Sequence, residues 1–251
     1  MSKEKIRLDQ LLIDLGLADS LRSAEALILS GKVLVEDRVI TKKGNAFSPN
    51  SRIRIRTKKS NFASRGGDKL NPILDNFNLS ITGKICLDLG ASTGGFTDVL
   101  LRRGAKKVYA IDVGYGLLEG SLRNHTRVIV MDRFHVKDLT WESLSLRPCN
   151  LFVVMDLSFI SLRSILPVFY DLKQKSEGIQ LEFLSLCKPQ FELEESYLEK
   201  GVVRKNTDRF LALVRVSRAI KKNLGGEILG IKESPLSGAK GNREIFIYWK
   251  L

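Results

Sequence analysis

A glycine-rich turn between two apolar runs carries the clearest binding chemistry in the sequence. Residues 86–112 read CLDLGASTGGFTDVLLRRGAKKVYAID, which predicts a strand, a tight turn, a helix and a second strand that ends at Asp112. A carboxylate at the end of that second strand can accept hydrogen bonds from both hydroxyls of a ribose. No Lys-Ser or Lys-Thr pair follows the turn, which excludes a phosphate-binding P-loop. The segment therefore predicts a site for a ligand that contains a ribose.

The pattern D-L-G-x-x-x-G-G-aromatic in this turn resembles the S-adenosylmethionine loop of methyltransferases. The resemblance implies S-adenosylmethionine as the cofactor and assigns these residues to it: Asp88, Gly90, Ser92, Gly94, Gly95, Phe96 and Asp112. For the glycines, ordinary turn chemistry is the alternative. Asp132, at the end of the third predicted strand, is expected near the adenine, with a purely structural role as an equal alternative.

The segment MDLSF, which closes the fourth predicted strand, bears on the atom that would receive a methyl group. Methyltransferases that act on exocyclic base nitrogens usually carry Asn/Asp-Pro-Pro-aromatic there, and this sequence does not. Enzymes that methylate carbon five of pyrimidines need a nucleophilic cysteine in a Pro-Cys context. Cys149 follows Pro148 but precedes the strand, and Cys187 lies within a strand. These departures favour a sugar hydroxyl over a base atom.

Four further motifs resemble the hemolysin-A-like branch of the FtsJ-like, heat-shock-type ribose methyltransferases. They are DLSFIS, CKPQFE, GVVR and SPLSGAKGNREIF, and the resemblance covers essentially the whole chain. It implies methyl transfer to a ribose 2′-hydroxyl of ribosomal RNA, with cytidine as the precedent. It also implies a catalytic tetrad of Lys69, Asp156, Lys188 and Glu244. The stretch MDRFHVKDL departs from the Glu-Arg-Thr-Asn-like stretch of that branch, which leaves the adenine contacts open.

The implied tetrad suits the chemistry of a ribose hydroxyl. The hydroxyl is a weak nucleophile near neutral pH, so a base within hydrogen-bond reach and an in-line geometry are needed. The sulfonium methyl group is already electrophilic, and no metal is expected. Lys188 is predicted as the base, with Lys69 as the neighbouring cation and Asp156 and Glu244 as the groups that orient the two lysines. Pro189 marks a strand exit directly after Lys188, where ligands bind in parallel sheets.

The elements that must position these residues alternate from residue 84 onward. The predicted strands are KICLDLG, KVYAID, RVIVMD, NLFVVMD, LEFLSLCKP, GEILGIKE and EIFIYWK. Such alternation with helical patterns implies an α/β fold: a Rossmann-like, doubly wound sheet with helices on both faces, its first strands parallel. Val, Ile and Leu dominate these runs, as in strands that are covered on both faces.

The N-terminal residues predict a small α+β domain. Leu8, Leu11, Leu12 and Leu15 have helical spacing before Gly16, and a second helix is predicted from an N-cap at Ser20 to Gly31. KVLVEDRVITKKG predicts strand, turn and strand, and SRIRIR predicts a strand with one basic face.

This region resembles the RNA-binding domain named after small-subunit ribosomal protein four. The R-L-D opening, the S-x-R-S-A helix start and the G-K-V-x-V turn carry the resemblance. It implies contacts to RNA phosphate or sugar from Arg7, Arg22, Ser23, Lys32, Lys42 and Lys43, with solvated surface charge as the alternative. We expect this domain over residues 1–60, a basic linker and lead-in helix over 61–83, and the methyltransferase domain over 84–251.

Charge supports a polyanionic partner, for which ribosomal RNA or ribosomal subunits are the expected choice. The formal net charge is +13, and residues 1–70 hold 15 Lys+Arg against 8 Asp+Glu. Three scattered cysteines and two histidines predict neither disulfides nor a metal site. No apolar stretch approaches the ~18 residues of a membrane span, and the N-terminus lacks the apolar core of a signal peptide. We therefore expect a cytoplasmic protein without a membrane span.

Two other functions stay open at this level, as does the oligomeric state. A cytolysin is suggested by the hemolysin name within the branch, although a pore needs membrane-spanning segments. An RNA-binding protein with a decayed enzyme domain is the other, against which the intact glycine loop and the complete tetrad argue.

Overall fold

The chain forms two separate units of unequal length. The computed structural model describes residues 5–55, 60–175, 177–238 and 240–251. The chain divides into one unit spanning Met1–Lys59 and a second spanning Ser60–Leu251. Arg56 of the predicted strand SRIRIR and residues 57–59 of the predicted linker lie outside the described residues.

The N-terminal unit has the predicted helix pair and short strands. Its elements are β1 (Ile6–Arg7), α1 (Leu8–Asp14), α2 (Leu21–Leu29), β2 (Val33–Val35), β3 (Arg38–Ile40), β4 (Ala46–Phe47) and β5 (Ile53–Ile55). The Ser20 Oγ atom accepts a hydrogen bond from the Ser23 backbone N–H at 3.2 Å, which confirms the predicted N-cap of α2. Gly16 and Gly31, which follow the two helices, adopt left-handed φ angles of 68° and 66°.

Strand β5 presents less free positive charge than the pattern SRIRIR predicts. It pairs with β2, and the turn from β2 to β3 holds Glu36 and Asp37 at left-handed φ angles of 48° and 65°. The Asp37 carboxylate forms ion pairs with both Arg52 and Arg54. The side chains that give this strand its basic face are therefore partly neutralised within the unit.

The second unit is built on the predicted α/β sheet. Its strands are β6 (Ile85–Leu89), β7 (Lys107–Asp112), β8 (Val128–Asp132), β9 (Leu151–Met155), β10 (Leu181–Cys187), β11 (Glu227–Glu233) and β12 (Ile245–Lys250). Its helices are α3 (Arg65–Asn76), α4 (Gly95–Arg102), α5 (Gly120–Arg123), α6 (Leu166–Gln174), α7 (Pro189–Glu192) and α8 (Asn206–Leu224). The strand order is β11-β12-β10-β9-β6-β7-β8, and the pairs from β10 to β8 are parallel, which confirms the predicted fold class. Two buried apolar clusters pack on this sheet.

The strand register brings distant segments to one edge of the sheet. Strand β6 continues to β7 on one side, while the chain later crosses to β9 on the other, so the strand order switches direction there. Leu89 of β6 pairs with Met155 of β9, and Cys187 of β10 pairs with Ile245 of β12. The residues just beyond these pairs, Gly90, Asp156, Lys188 and Glu244, therefore lie at the carboxyl edge of the central strands.

Part of the stretch TKKSNFASRGGDKL is helical, where the sequence suggests a linker. Helix α3 begins after Ser64, whose Oγ atom accepts a hydrogen bond from the Gly66 backbone N–H at 3.3 Å. Its apolar face, Leu70, Ile73 and Leu74, is fully buried in the second unit. The apolar residues with helical spacing begin only at Leu70, the last residue of the polar stretch. The composition of the stretch therefore does not indicate a helix.

Candidate active site

Three adjoining cavities lie at the carboxyl edge of the sheet, and Asp156 lines all of them. The large cavity, of about 770 Å³, is lined by Gly90, Ser92, Ile111, Asp112, Val113, Gly114, Leu117, Phe134, His135, Val136, Asp156, Leu157, Ser158, Phe159, Ile160 and Ile165. The polar cleft, of about 440 Å³, is lined by Lys69, Asp156, Ser158, Phe159, Lys188, Gln190, Phe191, Leu198, Gly201, Gly238, Lys240, Asn242 and Glu244. The small cavity, of about 240 Å³, shares Lys69, Gly90, Ser92 and Asp156 with the others and adds Ser64, Arg65, Gly66, Ala91, Gly95, Phe96 and Ser237.

Lys188 lines the polar cleft and contacts Asp156 and Ser158, which line both the polar cleft and the large cavity. Its Nζ atom lies 2.7 Å from Oδ1 of Asp156 and donates a hydrogen bond to Oγ of Ser158 at 2.7 Å. Lys188 is only 8% exposed. A charge in such a nearly buried position needs close polar partners, and Asp156 and Ser158 supply them. This ammonium–carboxylate pair joins the ends of the neighbouring strands β10 and β9.

Lys69 and Glu244 form the second ion pair of the polar cleft. Lys69, on α3, places Nζ 2.6 Å from Oε2 of Glu244, which is 2% exposed. The backbone of Gly238 makes room for this carboxylate, because a Cβ atom there would lie 2.5 Å from Oε1 of Glu244. All four tetrad residues predicted from the sequence thus line one cleft, as two lysine–carboxylate pairs.

A buried carboxylate that the sequence analysis missed joins the two loops that carry Asp156 and Lys188. Glu192 accepts hydrogen bonds from Ser161 Oγ at 2.5 Å, from the Leu162 backbone N–H at 2.7 Å and from Arg163 Nε at 3.2 Å. Burial raises the pKa of Glu192, while these three donors oppose that rise. The motifs DLSFIS and CKPQFE both contribute to this contact, and a carboxylate four residues after Lys188 was the available signal.

Phe159 is a second residue that sequence reasoning missed. Its side chain is 91% exposed, although it lines both the large cavity and the polar cleft. Its backbone has a φ of 64°, an uncommon conformation for an aromatic residue. The ring contacts Phe191, with centroids 5.4 Å apart. An exposed ring at the junction offers a flat apolar surface to a planar ligand group.

Asp112 is oriented by the glycine loop. Its Oδ2 atom accepts a hydrogen bond from the Ser92 backbone N–H at 2.8 Å, and Oδ1 accepts one from the Gly114 backbone N–H at 2.7 Å. The side chain lines the large cavity with Gly90 and Ser92. A carboxylate oxygen can accept more than one hydrogen bond, so each oxygen keeps capacity for a ligand hydroxyl.

Gly94 and Gly95 of the loop make room for neighbouring protein side chains and backbone. A Cβ atom on Gly94 would lie 2.4 Å from Leu122, and one on Gly95 would lie 2.3 Å from Oγ of Ser64. Gly95 and Phe96 line only the small cavity, and Gly94 lines none of the three cavities. The missing side chains of Gly94 and Gly95 therefore allow close packing against α5 and the start of α3.

Asp88 lies beneath the loop and lines none of the three cavities. It is fully buried, and its Oδ2 atom accepts a hydrogen bond from Thr97 Oγ1 at 2.6 Å. Burial raises the pKa of Asp88 to about 7. Within the protein this residue links β6 to α4.

Asp132 is engaged by Arg123 and by the Gly116 backbone N–H, which donates at 3.2 Å. The Arg123 hydrogen bond holds the pKa of this carboxyl below its usual range. Asp132 lines none of the three cavities, whereas Phe134, His135 and Val136 just after it line the large one. These three belong to the stretch MDRFHVKDL, and their position after a parallel strand was the signal that could have identified them.

The six RNA-contact residues predicted in the N-terminal unit differ in their partners. Arg7 pairs with Asp9, and Lys43 pairs with Glu25 at 2.8 Å. Ser23 contributes its backbone N–H to the cap of α2. Arg22, Lys32 and Lys42 have no ion-pair partner among the residues that the structure describes. Their charges are the free ones of this set.

Gly90→Ala is expected to lower the free energy of unfolding by about 2–5 kcal/mol. The residue has a φ of 84°, and a Cβ atom would lie 2.8 Å from the Asp156 carbonyl oxygen. Left-handed strain costs about 1–2 kcal/mol and overpacking about 1–3 kcal/mol more. Urea unfolding measures the change. The matched control is Gly83→Ala, which has a φ of 75° and no atom within 4 Å of the added Cβ. Equal losses in the two variants would contradict the clash.

Features of other site types are absent from the described part of the chain. No group of three or more His, Cys, Asp or Glu side chains in residues 5–55, 60–175, 177–238 and 240–251 is arranged to hold a metal ion. Within the same ranges, none of the helices has the length and apolar character needed to cross a membrane.

A mainly parallel sheet that carries a glycine loop, Asp112 and two lysine–carboxylate pairs at its carboxyl edge is the arrangement expected of a methyltransferase. Comparison with protein families agrees: the FtsJ-like methyltransferase model matches residues 62–251, and the S4 domain model matches residues 6–53. The protein belongs to the FtsJ-like methyltransferase family and carries an N-terminal S4 domain. The resemblance seen in the sequence motifs is thereby confirmed.

Curated relatives and a solved structure match nearly the whole chain. The 16S/23S rRNA (cytidine-2′-O)-methyltransferase TlyA of Mycobacterium tuberculosis is 40% identical over 246 residues, 97% of this chain and 89% of that protein. Hemolysin A of Brachyspira hyodysenteriae is 38% identical over 250 residues, 97% of this chain and 99% of that protein. A provisionally named hemolysin from Streptococcus thermophilus superposes with a TM-score of 0.72 at 33% identity, covering 99% of this chain and 89% of that one.

Proposed function

We propose that this methyltransferase transfers a methyl group from S-adenosylmethionine to a ribose 2′-hydroxyl of ribosomal RNA, with cytidine as the expected nucleoside. The observation that carries the proposal is the Lys188–Asp156 pair, 2.7 Å apart, at the junction of the large cavity and the polar cleft. A nearly buried lysine beside the cofactor position suits proton removal from a hydroxyl. The activity of the Mycobacterium tuberculosis relative supports the same acceptor.

The residues of the large cavity fit S-adenosylmethionine. Asp112 can accept hydrogen bonds from both ribose hydroxyls, because in the described part of the chain each of its oxygens accepts from a single backbone N–H. Val113, Phe134 and Val136 offer an apolar lining for an adenine ring. When bound, the cofactor supplies a methyl group that its sulfonium charge makes electrophilic.

The polar cleft fits a ribose as the acceptor. Lys188 takes the proton of the 2′-hydroxyl, and the Asp156 carboxylate stabilises the ammonium that results. Glu244 holds Lys69 within the same cleft, where the second cation favours the developing oxyanion of the ribose. The two carboxylates thus keep the lysines apart and oriented.

The exposed Phe159 ring supports a nucleotide as the substrate. It lines both the cleft and the large cavity and projects into solvent beside Lys188. Stacking of a base on an aromatic side chain contributes about 1–3 kcal/mol and tolerates any base. A target nucleotide whose base stacks on Phe159 has its ribose near the cleft. Identification of the RNA then falls to other contacts, for which the S4 domain and its free charges are suited.

Transfer of a labelled methyl group to ribosomal RNA tests the proposal. The full-length protein is incubated with ribosomal RNA, or ribosomal subunits, from cells that lack it, together with S-adenosylmethionine labelled in the methyl group. The RNA is digested to nucleosides, and we expect the label in a 2′-O-methylated nucleoside.

Asp112→Ala should weaken cofactor binding, because two hydrogen bonds to a charged group are lost.

The position of the label separates the alternatives. Label on a base would overturn the assignment of the sugar hydroxyl. Cofactor binding without transfer to any ribosomal RNA would favour an RNA-binding protein with an inactive enzyme domain. Unchanged cofactor affinity in Asp112→Ala would overturn the assignment of the large cavity.

A further inference from the structure

Ser158 is an exposed residue whose hydroxyl contacts the predicted base. Its Oγ atom accepts the Lys188 Nζ hydrogen bond at 2.7 Å, and the same Nζ lies 2.7 Å from Asp156 Oδ1. Ser158 lines the large cavity and the polar cleft, so it stands where cofactor and acceptor meet. The motif DLSFIS contains both Ser158 and Ser161 and does not distinguish them by role, and Ser164 follows three residues later.

We infer that Ser158 is a positioning residue that orients the nitrogen of Lys188 toward the ribose hydroxyl, an inference that rests on the proposed function. A neutral amine has two N–H bonds and one lone pair in a tetrahedral arrangement. The Ser158 hydroxyl accepts one N–H, and the Asp156 carboxylate, 2.7 Å from the nitrogen, attracts the other N–H by charge, so rotation about the Cε–Nζ bond is restricted. The lone pair then occupies the remaining direction at the nitrogen, and the open space around it is the polar cleft.

The same contacts serve the charged state after the reaction. The 2′-oxygen forms a bond to the methyl carbon while the bond from that carbon to sulfur breaks and leaves its electron pair on sulfur. The hydroxyl proton moves to the Lys188 lone pair, so the positive charge passes from the sulfonium to the ammonium. Ser158 keeps its N–H bond throughout, the Asp156 carboxylate compensates the new positive charge, and the newly formed N–H of the ammonium faces the new ether oxygen.

Loss of the contact is expected to leave the fold intact, which makes the inference testable. Ser158 is exposed, and its side chain contacts Lys188. Ser161, by contrast, donates to the buried Glu192 carboxylate. Ser164 is an exposed serine in the same loop, and its Oγ atom donates to the Ser161 carbonyl oxygen at 2.7 Å. Ser164 lines none of the three cavities, so Ser164→Ala is a matched control with one side-chain hydrogen bond removed.

The test compares Ser158→Ala, Ser158→Thr and Ser164→Ala in the full-length protein, with labelled S-adenosylmethionine and ribosomal RNA. We expect kcat to fall by about 10–10²-fold in Ser158→Ala, since a misoriented reacting group costs on that scale. KM for RNA and the Kd for S-adenosylmethionine should stay within about twofold. Ser158→Thr keeps a hydroxyl and should recover most of the lost turnover, and Ser164→Ala should behave as the wild type.

Wild-type turnover in Ser158→Ala would overturn the inference while leaving the proposed function intact. An equal loss in Ser158→Thr and Ser158→Ala would also overturn it, because the hydroxyl would then not be the active feature. Failure of the wild-type protein to methylate any ribose would instead overturn the proposed function. Melting temperatures of all variants establish that the comparison is made on folded protein.

Discussion

Lys188→Arg is expected to lower the turnover of methyl transfer by about 10²-fold or more, the scale of general-base catalysis. An arginine keeps the positive charge and can still pair with Asp156, but its guanidinium does not release a proton near neutral pH. The variant therefore retains the electrostatics of the cleft and loses the base. Single-turnover transfer of labelled methyl to ribosomal RNA measures the loss, while calorimetry with S-adenosylmethionine should give an unchanged Kd.

Lys84→Arg is the matched control for this prediction. Lys84 forms an ion pair with Glu182 at 2.7 Å in the same unit and lines none of the three cavities. The exchange is chemically identical, and we expect wild-type turnover. Near wild-type turnover in Lys188→Arg would rule out Lys188 as the base, whatever the role of its ion pair.

Removal of the three unpaired charges among the predicted RNA contacts of the S4 domain is expected to weaken binding to ribosomal RNA by about 10²-fold near physiological salt. The variant replaces Arg22, Lys32 and Lys42 with glutamine, and its binding should also depend less steeply on salt. Each phosphate contact that is lost lowers the slope of log K against log salt by about 0.7–0.9. Titration of labelled RNA at several salt concentrations gives both quantities, and cofactor affinity should be unchanged.

A second triple variant tests whether RNA affinity depends on the unpaired charges at the predicted contact positions or only on the net charge of the domain. Replacement of Lys43, Arg52 and Arg54 by glutamine removes the same formal charge from the same domain, but these side chains already pair with Glu25 or Asp37. We expect a smaller loss of RNA affinity and a smaller change of slope. Equal effects in the two variants would mean that the S4 domain attracts RNA only through its overall charge.

The sequence alone determined the features that depend on short-range patterns. Apolar runs at intervals located the strands of the central sheet, and helical spacing with Ser20 and Gly16 located the first two helices, because hydrophobic period and caps are local properties. Placement at strand ends was also readable, since parallel strands share a carboxyl edge. Asp112 was therefore predictable at this edge, and Pro189 marked the strand exit that places Lys188 there. The tetrad as a set came from motif resemblance and not from the pattern.

Only the tertiary structure decided which side chains meet. Asp156 pairs with Lys188 and Glu244 with Lys69 through the register of β9, β10 and β12 and the packing of α3. The ion pair between Asp132 and Arg123 joins β8 to α5, and the apolar pattern of a strand does not predict it. The exposure of Phe159 likewise depends on how its loop turns. Such contacts join residues that are distant along the chain or lie in irregular loops. Neither hydrophobic periodicity nor capping residues predict them, because both are local patterns.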